Sequence, residues 1–237
     1  MKERSSTSLT EGPITRSILL FTGPLIIGNL FQQLYNTVDS IVVGQFIGSE
    51  ALAAVGSSTP LINLIIGMFM GIAVGSGVII SQYYGAKSED KMGWAVRTSI
   101  ALSIIGGILL SVVGIVFSPS ILRLMKTPPE VLDTSVLYFR IYFLGSLFNL
   151  LYNMGAGILQ AVGDSRRPLI FLCISSVTNI VLDLLFVAGF HMGVDGVAWA
   201  TIISQFVSAV LVMSALMRTK DIYRLELRKI PYHAQPE

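Results

Sequence analysis

Six long apolar stretches, separated by short polar segments, dominate this chain and predict membrane-spanning helices. A helix needs about 20 residues to cross the hydrocarbon core of a bilayer, and each stretch reaches that length. The predicted spans cover residues 14–47, 53–83, 93–117, 131–162, 168–190 and 194–217. The pattern therefore predicts an all-α transmembrane protein with a six-helix bundle at residues 14–217, an amino-terminal segment at 1–13 and a basic tail at 218–237.

The Lys and Arg residues predict how the bundle is oriented. Only 13% of the 237 residues are charged, about half the usual share for a soluble domain. With the amino terminus inside the cell, 13 of the 16 basic residues fall on the inner side. Basic residues concentrate in cytoplasmic loops, so both termini are predicted to be cytoplasmic and the protein to lie in the plasma or inner membrane. The net charge of +2 follows from this topology, and no nucleic-acid partner is expected.

Two nine-residue segments are similar to each other. The first span contains GNLFQQLYN at 28–36 and the fourth contains GSLFNLLYN at 145–153, with six identical positions. The two spans would cross the membrane in opposite directions, as in the inverted repeats of transporters. Chance similarity between two apolar helices is the alternative, since the neighbouring spans do not align as visibly.

Two acidic residues lie deep inside the apolar spans, away from their ends. Asp39 lies in the first span, and Asp183 lies in the fifth, four residues after Asn179. Residues four apart share a helix face. Counted from the outer span ends, Asp39 is roughly 12 Å deep, and Asp183 and Thr201 are each roughly 10 Å deep. An acidic residue inside a membrane indicates a functional site by default. Asn179 or Thr201, taken alone, is better explained as a hydrogen-bonding contact between helices.

Polar residues near Asp39 predict a cavity wall. Gln32, Tyr35 and Asn36 precede Asp39 by seven, four and three residues and so lie on its face; Asn153, in the similar segment of the fourth span, is included in this predicted substrate cavity. The carboxylate, amide and hydroxyl oxygens could carry a proton or coordinate Na⁺, which prefers such hard ligands. No cofactor and no other metal is expected.

Prolines, glycines and one arginine complete the polar and flexible positions. Pro24 cannot donate a backbone hydrogen bond, so a bend or hinge is predicted in the first span, with a similar effect at Pro60.

Three glycines recur every four residues in the second span and predict a close helix contact: Gly67, Gly71 and Gly75. Arg140 is predicted to point outward or to pair with Asp133.

Five segments resemble the MATE family of multidrug and toxic-compound extrusion transporters. They are LYNTVDSIVVGQFIG, in the same span as Pro24, GVIISQYYGAKSED, ILQAVGDSRRP, TNIVLDLLFV and GVDGVAWATIISQ. The resemblance implies one lobe of a twelve-helix transporter, with residues 218–237 as the start of an interlobe linker. It also implies an antiporter that exports amphipathic or cationic compounds in exchange for H⁺ or Na⁺. The family's cation site corresponds here to Asp39, Asn179, Asp183 and Thr201, and its bent helix to Pro24.

The single lobe leaves other functions open. Transport by alternating access needs two bodies, so the missing second lobe or a second copy of the chain is the expected partner, alongside the bilayer. One alternative is a flippase for lipid-linked precursors in the same superfamily, although that function predicts a basic cavity. Another is a lobe that scaffolds a partner or binds ligand without transport. No catalytic arrangement is present in the sequence, so an enzyme is not expected.

Overall fold

A computed structural model describes residues 14–226 of the chain, and within this range the ordered elements are helical. We number the α-helices α1–α7 and the two π-helical segments π1 and π2. The elements are, in order, α1 (Ile14–Val42), π1 (Val43–Ile47), α2 (Ser49–Gly85), α3 (Glu89–Leu124), α4 (Pro129–Leu144), α5 (Ser146–Ala161), α6 (Arg166–Asp183), π2 (Leu184–Gly189) and α7 (Val194–Arg218).

Five of the six predicted spans are confirmed in the described part of the chain, and the fourth is a bent pair of helices. Five helical segments are long and apolar enough to cross a membrane, and α4 with α5 forms a sixth, bent span. The protein is therefore a multi-pass membrane protein. Helices α3, α5 and α7 form its centre, where α3 packs against α4 and α5, and α7 packs against α5 and α6. Helix α1 is peripheral and packs mainly against α6.

Buried side chains form two core clusters at different levels of the bundle. One lies toward the predicted inner ends and includes Ile80, Met92, Leu159 and Leu216. The other lies toward the outer ends and includes Phe139, Phe143, Val187 and Val197. Small residues allow the helices to approach between these levels. A Cβ on Gly107 would lie 2.6 Å from the Leu147 backbone, so α3 and α5 pack in direct contact there.

The fourth span is broken, whereas the sequence predicted one helix over 131–162. Helices α4 and α5 meet at Gly145 with a bend of 47°. A Cβ at Gly145 would lie 2.8 Å from Cγ1 of Ile202, so only glycine allows α7 to approach the break. The break also separates the two similar segments in structure, because Gly28 lies within an unbroken helix and Gly145 lies between two.

Two prolines and three glycines were predicted to shape the first two spans. Helices α1 and α2 continue through Pro24 and Pro60, and the bend at Pro24 stays a prediction. No atom of the described chain lies within 4 Å of the position that a Cβ would take at Gly67, Gly71 or Gly75, so the predicted close helix contact is not made within this bundle.

Arg140 has a structural role that differs from both predicted alternatives. Its Nε donates to the carbonyl of Ile115, at 3.2 Å, and to Oγ of Ser118, at 3.0 Å. Pro119 lies four residues after Ile115 and has no N–H to donate to that carbonyl. Arg140 and the Ser118 hydroxyl, at 3.1 Å, both donate to this carbonyl in place of the missing N–H, and Arg140 forms no ion pair with Asp133 in the described structure.

The beginning of the predicted tail folds back under the bundle. Tyr223 and Leu225 are buried in the inner cluster, and the Leu225 N–H donates to the Leu216 carbonyl at 2.9 Å. The Tyr84 hydroxyl also donates to Asp221, at 3.2 Å. Residues 219–226 therefore pack against the inner ends of the spans. The rest of the predicted tail and the segment 1–13 lie outside the described residues.

Candidate functional site

Helices α1 and α6 pack side by side in the same direction and bring the two membrane acids together. Gly28 of α1 lies against Leu172 and Leu169, where a Cβ would be 3.6 and 3.7 Å from their side chains. Three turns further on, Asp39 reaches Asp183, the last residue of α6. Close packing at Gly28 thus sets a register in which the two acids lie at one level, as the sequence predicted.

The carboxyl groups of Asp39 and Asp183 are within hydrogen-bonding reach of each other. Asp183 is completely buried, with 0% of its surface exposed. Oδ1 of Asp39 and both carboxylate oxygens of Asp183 are buried and have no hydrogen-bond donor among the described residues. Two ionised carboxylates at this distance repel strongly in a low-dielectric interior. Only a proton or a bound cation between them would turn this repulsion into attraction.

Asn179 lies on the same helix as Asp183, and Thr201 lies on α7, which packs against that helix. Asn179 is 1% exposed and lies one turn before Asp183, and both polar atoms of its amide lack partners in the part of the chain that the structure describes. The hydroxyl of Ser175 donates to the Ser204 carbonyl at 2.8 Å and fixes the antiparallel register of α6 and α7. This register places Thr201 opposite Asn179. The Thr201 hydroxyl donates to the Val197 carbonyl at 3.0 Å, which leaves its oxygen lone pairs available.

The site also contains residues that the sequence analysis missed. Tyr138 and Tyr142 of α4 are four residues apart and interact electrostatically with Asp39, as does Tyr35. The side chain of Gln205, one turn after Thr201, reaches the hydroxyl of Tyr142. The four-residue spacing of two tyrosines inside an apolar span was the available signal. Aromatic residues are so common in membrane helices that the spacing alone did not indicate a site.

The predicted cavity residues divide into two groups. Gln32 and Asn36 are exposed on α1, and Gln32 reaches the hydroxyl of half-buried Tyr35. Asn153 lies elsewhere: its Nδ2 donates to the carbonyl and to Oδ1 of Asn149, at 2.9 and 2.8 Å. Asn153 lines a separate apolar crevice with residues of α2, α3 and α5, namely Phe69, Ile72, Ala73, Leu102, Ser103, Leu150 and Met154. The structure therefore keeps Gln32, Tyr35 and Asn36 near Asp39 and places Asn153 apart.

The donor atoms define what this site can bind. Across residues 14–226 there is no group of three His, Cys, Asp or Glu side chains that could hold a metal ion. The site instead offers carboxylate, amide and hydroxyl oxygens, from the acid pair, Asn179 and Thr201. Its one nitrogen is that of the Asn179 amide. Such a set suits a proton or an alkali cation better than a transition metal.

Fold and site together define a multi-pass helical membrane protein with a buried acidic pair between its spans. The MatE family model matches residues 24–185, about two thirds of the chain. The chain belongs to the MATE family, whose members are membrane transporters and not enzymes.

Named relatives and solved structures agree with this assignment. The chain is 36% identical over 211 residues to "Probable multidrug resistance protein YoeA" of Bacillus subtilis, covering 87% of this chain and 46% of that protein. It is 25% identical to "Multidrug export protein MepA" of Staphylococcus aureus, covering 96% and 51%. An outward-facing structure of a multidrug resistance MATE transporter matches with a TM-score of 0.88 and 30% identity, covering 98% and 52%.

The chain spans about half the length of the relatives it matches. Its six-helix bundle corresponds to one lobe of a MATE transporter, as the sequence resemblance predicted.

Proposed function

We propose that this chain is the cation-coupling lobe of a secondary active multidrug antiporter. It exports amphipathic or cationic compounds in exchange for H⁺ or Na⁺. The observation that carries this proposal is the contact between Asp39 and Asp183, whose buried oxygens lack donors. A structural role alone does not account for two adjoining, unpaired acids, because each buried charge without a partner is costly.

The coupling step is the binding of one cation by this pair. A proton or Na⁺ between the carboxyl groups removes their repulsion, and the oxygens of Asn179 and Thr201 complete the ligand set. The bound cation favours the conformation in which the acids are closest. Because a ligand shifts a conformational equilibrium only through different affinities for its states, this preference is what couples the ion to the drug.

The exposed polar face of α1 is the proposed substrate wall. Gln32, Tyr35 and Asn36 offer amide groups, a hydroxyl and an aromatic ring on the approach to Asp39. A cationic amphipathic compound would be attracted by an unloaded acid pair and released when a cation neutralises it. Asn153 is not included in this wall, because its crevice lies between other helices.

The partner of this lobe is a second six-helix unit in the same bilayer. Alternating access requires two bodies that move against each other around a central site, and this chain supplies one. The second unit is either the other lobe of a complete transporter or a second copy of this chain. The proposed orientation has both termini in the cytoplasm and the protein in the plasma or inner membrane.

A second candidate function is a lobe that binds cation and ligand without transporting them. It would use the same buried acid pair as the antiporter. Unlike the antiporter, such a lobe would bind its ligand without moving it across the membrane.

Export by reconstituted protein tests the proposal. Liposomes that contain the chain are loaded with a fluorescent organic cation, and inward H⁺ and Na⁺ gradients are imposed in turn. We expect one gradient to drive export, Asp39→Asn to abolish it, and the matched control Asp133→Asn, at an exposed acid of α4, to retain it. Gradient-driven export by Asp39→Asn at the unmutated rate would contradict the coupling mechanism. Cation binding by folded protein with no export would favour the second candidate.

A further inference from the structure

Arg140 uses one of its three guanidinium nitrogens to join α4 to α3. Its Nε donates to the Ile115 carbonyl and to the Ser118 hydroxyl, at 3.2 and 3.0 Å. The two Nη atoms have no hydrogen-bond or ion-pair partner among the described residues, and the side chain is exposed. They carry four of the five N–H donors of the guanidinium, in one plane. The Nε bonds therefore hold a fork of unused donors at the surface of the bundle.

The surroundings of this fork are apolar and exposed. On α4, Leu137 and Leu144 lie about one turn to either side of Arg140 and are 46% and 47% exposed. On α3, Ile108 lies two turns before Ile115 on the same face and is 52% exposed. Large apolar side chains on the outside of membrane-spanning helices are in contact with lipid, so the fork of Arg140 also faces lipid.

The fork lies at the predicted outer limit of the hydrocarbon core. The third span was predicted to end at Phe117, and Arg140 contacts residues on either side of that end, Ile115 and Ser118. A charged group with four free donors is costly in hydrocarbon, so a partner in the adjoining layer is favoured. The headgroup layer is about 5–8 Å thick on each side of the core. Lipid phosphates are therefore the nearest acceptors for an arginine that points outward.

The basic residues of the predicted outer side are concentrated at this place. Of the 16 Lys and Arg residues, the three outside the predicted inner side are Arg123, Lys126 and Arg140, which lie at the outer end of α3, in the turn after it and on α4. All three are exposed, as are two acids of α4, Glu130 and Asp133. Three positive charges against two negative ones leave a net charge of +1. The other two predicted outer ends each have one acidic residue and no Lys or Arg.

We propose that Arg140 anchors the headgroup of a phospholipid with a net negative charge, bound against α3 and α4 in the predicted outer leaflet. The Nη atoms donate to two oxygens of the lipid phosphate, in the bidentate geometry that guanidinium and phosphate groups share. The acyl chains lie along Leu137, Leu144 and Ile108. The local positive charge favours this lipid over a zwitterionic one. This binding does not depend on the proposed transport function.

Asp133 is the acid that could take the place of the phosphate. It lies two turns before Arg140 on the same face of α4. Seven residues correspond to about 10 Å along a helix, and no ion pair joins the two side chains in the described structure. Because Asp133 repels an anionic headgroup, Asp133→Asn should leave the binding of the lipid unchanged or strengthen it.

Quenching of a tryptophan beside Arg140 by brominated lipids tests the proposal. In a Trp94→Phe, Trp199→Phe background, Leu137→Trp places the reporter one turn from Arg140. The chain is reconstituted in bilayers of phosphatidylcholine and phosphatidylglycerol, with one of the two lipids brominated at a time, and quenching gives their relative affinity at the reporter. We expect phosphatidylglycerol to bind about three- to fivefold more tightly, as for a partly exposed ion pair. Arg140→Gln, which keeps an amide donor for the Ile115 carbonyl, should remove this preference.

Two controls separate the fork from general surface charge. Arg123→Gln removes the same charge from the same end of the bundle and should retain most of the preference. Ile105→Trp, at a residue of α3 that is 65% exposed, reports on lipid away from Arg140. It should show no preference, whether or not Arg140 is substituted.

Three results would overturn the proposal. The first is equal affinity of the two lipids at the Leu137→Trp reporter, or no quenching there by either lipid. The second is a preference that survives Arg140→Gln or that Arg123→Gln removes equally well. The third is a preference that appears only after Asp133→Asn, which would mean that Asp133 holds the fork in the native chain.

Discussion

At the scale of single residues, the burial of Asp183 is the most informative feature of the chain. Its side chain is fully buried, and neither of its oxygens has a donor. A residue retained only for stability would not be left in this state, because an unsatisfied buried polar group costs about 1–3 kcal/mol. The cost is consistent with a group that is paired for only part of a transport cycle.

Removal of this charge should stabilise the protein. We expect Asp183→Asn to raise the free energy of unfolding by about 1–3 kcal/mol, because it removes both the repulsion from Asp39 and an unsatisfied charge. Thermal unfolding in detergent, in a buffer without Na⁺ at neutral pH, measures the change. Asp133→Asn serves as the exposed control and should stay within about 0.5 kcal/mol of the native chain. Destabilisation by Asp183→Asn would show that the carboxylate has a partner in the free protein.

Arg140 offers a second test at this scale. Arg140→Ala removes one of two side-chain donors to the Ile115 carbonyl, the other being the Ser118 hydroxyl, and should cost about 0.5–1.5 kcal/mol of stability. Pro119→Ala restores a backbone N–H at the position that would normally serve this carbonyl. The cost of Arg140→Ala should therefore be smaller in the Pro119→Ala background, as a double-mutant cycle of thermal unfolding would show. Equal costs in both backgrounds would mean that Arg140 does not compensate for Pro119.

At the scale of helices, glycine positions separate packed faces from open ones. Gly107→Ala places a Cβ 2.6 Å from the Leu147 backbone, which cannot move aside easily, and should destabilise by about 1–3 kcal/mol. Gly71→Ala has no atom within 4 Å of its Cβ and removes a flexible residue from a helix. We expect it to be neutral or stabilising. Equal destabilisation by both variants would contradict this helix packing.

The six spans could be predicted because apolar length is a local property of the sequence. The break at Gly145 could not, since it lies against Ile202, which comes 57 residues later in the chain. The π segments also left no signal, because an extra residue in a turn does not interrupt an apolar run. In each case the deciding contact lies between elements that are distant in sequence.

The site was predictable to the extent that polar residues stand out in apolar spans. Asp39 and Asp183 were identified in this way, and their depths were estimated from the helical rise. Their lateral contact depended on the packing of α1 against α6, which the sequence does not fix. Asn153 shows the limit of the method, because similarity to Asn36 placed it in a wall from which the structure separates it.

At the scale of the whole molecule, the first two spans are incompletely covered. In the most apolar 18-residue stretch of the first span, only 6% of the residues are buried, and in that of the second span 12% are buried. The corresponding share is 28–44% in the third, fifth and sixth spans. The exposed face of α2 carries Gly67, Gly71 and Gly75, which leave room for a close helix contact. This face is where the proposed second six-helix unit would meet the chain.

Cross-linking tests this contact for a second copy. In a Cys173→Ser background, Gly71→Cys should form a disulfide-linked dimer in membranes under mild oxidation, because a twofold axis would bring the two α2 helices together. Ile105→Cys, at a residue of α3 that is 65% exposed, is the control for a lipid-facing position and should remain monomeric. If neither variant forms a dimer, or Ile105→Cys does so equally well, α2 is not the contact between copies.

Cation binding is the measurement that tests the central claim most directly. Radioactive Na⁺ retention and proton uptake are measured on the purified chain and on the Asp39→Asn, Asp183→Asn double variant. The account predicts that the native chain binds one of these two cations and that the double variant binds neither, while unfolding at the same or a higher temperature. Equal cation binding by the double variant, or binding of neither cation by the folded native chain, would contradict the assignment of the acid pair as the coupling site.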